Sequence, residues 1–155
     1  MKRFVIFGVI AASLLALFIL FKKTPVITPA ENLNNLEPRQ EMIGASVEGR
    51  KIEAYIYGNG EKYLVFVGGI HGGYEWNSVL LAYQFMDYLE KNPAAIPKNL
   101  TIAVVPSANP DGVYKVIGKE GRFTEEDAKS SPEEKAPGRF NANKVDLNRN
   151  FDCKW

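Results

Sequence analysis

The chain has 155 residues, 46% of them hydrophobic, with 19 Lys and Arg against 18 Asp and Glu. A net charge of +1 makes no electrostatic case for nucleic acid binding. The single cysteine, Cys153, excludes an internal disulfide and a multi-cysteine zinc site, so zinc here would need the single histidine and carboxylates.

Lys2 and Arg3 precede an uncharged run, Phe4 to Phe21, closed by Lys22 and Lys23. As a helix this run is about 27 Å long, close to the hydrocarbon thickness of a bilayer. It exceeds a usual signal-peptide core, and no clear small-x-small cleavage site follows. Residues 1–23 are therefore expected to be an N-terminal transmembrane anchor, with the remainder outside the cytoplasm. Secretion after signal cleavage is the alternative. Residues 24–40 hold Pro25, Pro29 and Pro38 without an apolar period and read as a linker to a domain over 41–155.

Met42–Val47 and Lys51–Tyr57 flank Glu48-Gly49-Arg50 and predict a hairpin, with Ile52, Ala54 and Ile56 on one face. Gly58-Asn59-Gly60 is a turn. Tyr63–Val67 predicts a short buried strand. A glycine-rich segment carrying His71 follows, and Glu75 opens a helix to Lys91. Val79, Ala82, Tyr83, Met86 and Leu89 form its apolar stripe, and Asn92-Pro93 ends it. Leu100–Val105 predicts the next buried strand. Strand, helix and strand over about forty residues fit a parallel βαβ crossover, which places both following turns on one edge of the sheet. Asn109–Gly112 reads as a turn shaping that edge. Tyr114–Lys135 is charged and polar and reads mostly as surface loop, with one helical turn over 124–129. The fold class expected is α/β, a mixed sheet with a parallel centre and flanking helices.

Three stretches stand out: GGIHGGYEW (68–76), PSANPDG (106–112) and VDLNRNF (145–151). Together and in this order they resemble the N-terminal half of the zinc carboxypeptidase family, peptidase family M14, over roughly Tyr63 to Trp155. The resemblance implies one Zn2+ ion held by His71 and Glu75, here four residues apart where the family's usual spacing is His-x-x-Glu. Asp146 matches the aspartate that orients the zinc-bound histidine. Asn148 and Arg149 match the pair that binds a peptide's terminal carboxylate. Arg139 corresponds to the arginine that polarises the scissile carbonyl. The family's third zinc ligand, a later histidine, and its catalytic glutamate are not among the 155 residues. The resemblance therefore implies the N-terminal portion of a metallocarboxypeptidase, inactive alone, with an open hydrophobic sheet edge. Its partners would be peptides with a free C-terminal carboxylate and, through residues 4–21, a membrane. Two alternatives are a non-catalytic, membrane-tethered module that binds peptide C-termini and an amide-cleaving deacylase on the same scaffold.

Overall fold

The computed structural model describes residues 38–128 and 131–153. The anchor segment 1–23 and most of the linker lie outside them. Among the described residues no helix is long and apolar enough to cross a membrane.

The charged Glu48-Gly49-Arg50 turn reverses the chain between β1 (Arg39–Ala45) and β2 (Lys51–Gly58), which pair antiparallel. Gly49 takes the left-handed conformation this turn needs (φ 82°). Arg39 and Gln40 already belong to β1, so the linker ends earlier than its composition suggested. Alternation placed the apolar face of β2 on Ile52, Ala54 and Ile56. The structure buries Ala54 on that face and also puts Tyr57 in the helix-side core, with Tyr55 packed against it. A tyrosine buries a large ring and still satisfies its hydroxyl at the edge: Tyr57 Oη donates to Glu90 Oε1 at 3.0 Å.

The crossover forms as expected. β3 (Lys62–Val67) leads through α1 (Trp76–Lys91) to β4 (Leu100–Val105), and β3 and β4 pair in parallel from Lys62↔Leu100 to Val67↔Val105. The sheet order is β1-β2-β4-β3. The expected parallel centre is corrected: the middle pair, β2 with β4, is antiparallel, and the parallel pair lies at one side. The crossover gives one edge of β4 to β3, and the hairpin strand β2 takes the other, running the opposite way.

This order also corrects the expectation that Tyr63–Val67 is buried. Among the described residues β3 pairs only with β4, and Tyr63 and Val65 are 74% and 62% exposed. An apolar run marks a strand but does not say whether it is central. Phe66 points to the helix side, where its ring lies 5.9 Å from that of Phe85.

The stripe on α1 is the organising surface of the core. Ala82, Met86 and Leu89 pack with Tyr57, Ile102 and Val104. Val79 joins a second cluster of Val113, Val116, Ile117 and Phe123. That cluster depends on a helix absent from the expectation, α2 (Pro110–Ile117). Asn109 caps it by accepting a hydrogen bond from Gly112 N–H at 3.0 Å, Pro110 occupies its first turn, and Gly118 ends it in the left-handed region. Asn-Pro-Asp-Gly begins a helix here instead of forming an isolated turn. The expected helical turn after Thr124 is present as a 3-10 turn, Glu125–Asp127, with a capping box between Thr124 and Asp127. A single helical turn, α3 (Pro132–Lys135), leads into the 3-10 turn Ala136–Arg139.

Candidate active site

The turns leaving β3 and β4 lie side by side because their strands are parallel. Ala108 N–H and Asn109 N–H donate to the carbonyls of Gly68 and Gly69, each at 3.0 Å. Gly69 (φ 61°) and Gly72 (φ 48°) permit the sharp path that raises His71 from the sheet edge. Ser78 Oγ accepts from Gly69 N–H at 3.0 Å and donates to Glu75 O at 2.8 Å, tying this loop to the first turn of α1.

His71 is buried, and both of its ring nitrogens face carboxylates. Nδ1 lies 2.9 Å from Glu75 Oε1 and Nε2 lies 3.0 Å from Asp146 Oδ1. Glu75 is at the N-cap position of α1 but makes no capping bond with its side chain, which turns to the imidazole instead. A neutral imidazole has one N–H and one lone pair. With Nε2–H donated to Asp146, the Nδ1 lone pair would meet a carboxylate oxygen at 2.9 Å. That contact requires a proton or a cation between the two atoms.

Asp146 is the most heavily bonded group of the site. Arg139 donates to its Oδ2 from Nε at 3.0 Å and approaches it with Nη2 at 2.9 Å, and Asn148 N–H donates to Oδ1 at 3.0 Å. Burial opposes its ionisation, but the hydrogen bonds from His71, Arg139 and the Asn148 N–H outweigh that and hold its carboxyl below the usual range. Arg139 and Asp146 meet because the chain doubles back between them. Asn141 N–H donates to Val145 O at 3.0 Å, Val145 N–H to Asn141 Oδ1 at 2.9 Å, and Lys144 takes a left-handed conformation (φ 62°). The Arg139 guanidinium also lies 5.6 Å from the Tyr74 ring centre.

His71, Glu75, Asp146 and Arg139 thus come together as one connected group. Asn148 and Arg149 occupy a 3-10 turn, Leu147–Arg149, capped by Asp146 and so anchored to the same group. Arg149 is exposed, and Asn148 is half-buried. Two of the three guanidinium nitrogens of Arg139 are directed to Asp146, an engagement that loop spacing did not suggest.

Motif spacing also missed Asp111. It is wholly buried, accepting from Ser46 Oγ at 2.6 Å, Arg50 Nη1 at 2.8 Å and Glu48 N–H at 3.3 Å. Arg50 stacks 4.0 Å from the Tyr114 ring centre and also contacts Glu48. Burial opposes the Asp111 charge, and the bonds from Ser46, Arg50 and Glu48 hold its carboxyl below the ordinary value. The first turn of α2 is thereby locked to the β1–β2 turn. A cavity of about 550 Å³ lies beside this lock, lined by residues including Arg50, Tyr83, Ser107 and Val113. None of His71, Glu75, Asp146, Asn148 or Arg149 lines it.

Residues 30–155 match the zinc carboxypeptidase family, and this span includes every residue of the site. The chain belongs to the zinc carboxypeptidase family. Bacteriocin BCN5 of Clostridium perfringens is 30% identical over 132 residues, 83% of this chain and 13% of the bacteriocin. A crystal structure of a candidate carboxypeptidase A from Shewanella denitrificans OS-217 aligns with a TM-score of 0.55 and 20% identity, covering 77% of this chain and 28% of that one. Bovine thrombin-activatable fibrinolysis inhibitor, in complex with a tick carboxypeptidase inhibitor, aligns over 51% of this chain and 27% of its own, with 18% identity and a TM-score of 0.45. The Shewanella alignment supports a shared mixed α/β fold. The chain spans only a small part of each of these proteins.

Zinc carboxypeptidases are named for a metal, and the donor set here suits one in part. His71 Nδ1 and the Glu75 carboxylate converge, while Asp146 faces the opposite ring nitrogen, as outer carboxylates do for metal-bound histidines. Among the described residues no group of three or more His, Cys, Asp or Glu is arranged to hold a metal ion. The fit is therefore to two protein donors.

Proposed function

We propose that this chain carries the N-terminal portion of a zinc-dependent metallocarboxypeptidase site, for release of C-terminal amino acids from peptides. The observation that carries this is the placement of His71 between Glu75 and Asp146, inside the span that matches the family. His71 and Glu75 would hold one Zn2+ ion, which when bound supplies Lewis-acid polarisation and activates a water.

The chain's own residues have defined tasks in this scheme. Asp146 accepts the Nε2 proton of His71 and so leaves Nδ1 as the donor atom. Arg139 neutralises Asp146 and fixes its plane; polarising the scissile carbonyl would fall to the part of its guanidinium not directed at Asp146. Asn148 and Arg149 bind the terminal carboxylate of the peptide, which suits the planar fork of arginine. Residues 4–21 would tether the domain on the outer side of a membrane.

A catalytic zinc normally takes three protein ligands and one open position, and His71 and Glu75 supply two. The 155-residue chain is therefore expected to bind zinc without turning over peptides. Calorimetric titration of the full chain with zinc, beside His71→Ala, tests this. Binding that the variant loses supports the scheme, and equal weak binding by both chains refutes it. Zinc-dependent release of C-terminal amino acids by the purified chain would overturn the expected inactivity. The binding-module alternative predicts retention of peptides with free C-termini, independent of zinc and lost in Arg149→Ala.

A further inference from the structure

Three segments meet backbone to backbone behind the His71 loop, with Val116 and Asn109 side chains packed beside them. A Cβ on Gly72 would lie 2.7 Å from Gly138 O and 2.8 Å from Gly112 Cα. One on Gly112 would lie 2.3 Å from Gly138 O. One on Gly138 would lie 2.5 Å from Val116 Cγ2 and 2.8 Å from both Gly112 O and Tyr74 N. Neither Gly112 nor Gly138 has a positive φ, so glycine is required there for closeness, not for backbone conformation. Each glycine is next in sequence to a residue already described: Gly72 follows His71, Gly112 follows Asp111, and Gly138 precedes Arg139.

These contacts close a ring. His71 leads through Gly72 to Gly138 and Arg139, Arg139 holds Asp146, and Asp146 returns to His71. Gly112 is the third wall of the junction and is held in place on both sides, by the Asp111–Arg50 lock and by the Asn109 cap. The separation of the His71 and Arg139 backbones therefore sets whether Asp146 reaches Nε2.

We propose that Gly138 is a positioning residue for His71, acting through the Gly72–Gly112–Gly138 junction to seat the Arg139–Asp146 pair on the imidazole. This rests on the proposal that His71 holds the metal. His71 is the only histidine, so ring-15N labelling of histidine in the full chain reports on it alone. The unmodified chain should show a slowly exchanging Nε2–H held by Asp146. Gly138→Ala should abolish or shift that signal and lower zinc affinity roughly 10–100-fold, the usual effect of disturbing a ligand's outer partner.

Two controls isolate the junction. Gly44→Ala introduces the same methyl where nothing lies within 4 Å, and Val116→Ala trims the side chain that packs on Gly138 while leaving the backbone contacts among the three glycines in place. Both should leave the ring signals unchanged. If Gly138→Ala does not fold, Gly138→Ala with Val116→Ala removes the side-chain clash and keeps the clashes with Gly112 O and Tyr74 N. Unaltered ring signals in either folded Gly138 variant overturn the proposal. So does an equal change in Val116→Ala, or failure of both Gly138 variants to fold while Val116→Ala folds, which would place the junction in the folding core instead. A chain that binds no zinc defeats the metal assignment, while the ring signals still judge the junction independently.

Discussion

At the scale of single residues, a half-buried and a buried carboxylate illustrate opposite uses of the same group. Asp146 faces the imidazole and orders a site. Asp111 faces Arg50 and orders the fold. Removing Asp111 from water is unfavourable, and its bonds from Ser46, Arg50 and the Glu48 N–H more than offset this, so its folded pKa falls below the ordinary 3.8. The unfolded chain then binds more protons than the native one as the pH drops below that ordinary value. Stability from this group is present above that value and is lost as the pH falls through the depressed pKa. Glu48 and Glu120 contact the same arginine, Glu120 Oε1 at 3.4 Å from Arg50 Nε. In urea titrations across acidic pH, the stability difference between the unmodified chain and Asp111→Asn should be largest near neutrality and shrink as the pH falls below 3.8. A difference independent of pH would contradict the assignment.

At the scale of elements, α2 and β3 show where short-range signals mislead. Asn109 and Pro110 are strong helix-start residues, but their presence in Asn-Pro-Asp-Gly reads equally as a turn. The deciding factor is Val113, Val116 and Ile117, which find Val79 and Phe123 only after the chain has folded. Asn109→Ala should cost about 1 kcal/mol for the lost cap, within a range of roughly 0.5–2, measured by urea unfolding; no change would mean that Asn109 Oδ1 contributes nothing to α2. For β3, the apolar composition belongs to a strand that α1 covers on one face only. Val65 is 62% exposed on the other face. Val65→Lys should therefore change stability by less than about 0.5 kcal/mol, as surface substitutions do, while reducing self-association at the open edge. Sedimentation with urea unfolding checks both, and a loss of several kcal/mol would show that Val65 is covered in solution.

At the scale of the whole molecule, the sheet edge that holds both loops is also where the family resemblance is concentrated. The uncharged run Phe4–Phe21 is proposed as a membrane tether. Expressed in a bacterial host, the full chain should stay with membranes through alkaline carbonate washing, and deletion of residues 4–21 should release it to the soluble fraction. Release of the full chain by the wash would argue against an anchor.

The sequence by itself determined the crossover and the apolar stripe of α1, because each rests on local period; His71, Glu75 and Asp146 stand out by resemblance to the family's motifs, and the structure brings their side chains together. It left open which strand stands at the edge, since an apolar run has the same composition in either place. It did not show that the opposite face of β2 is buried as well, because a tyrosine can bury its ring while its hydroxyl finds a partner, as Tyr57 does with Glu90. Only the tertiary structure decided that Arg139 grips Asp146, that Asp111 is locked by the distant β1–β2 turn, and that Gly72, Gly112 and Gly138 share one junction. Arg139 and Asp146 meet because the chain doubles back between them, whereas the Asp111 lock and the glycine junction join segments far apart in the chain, which no local period records.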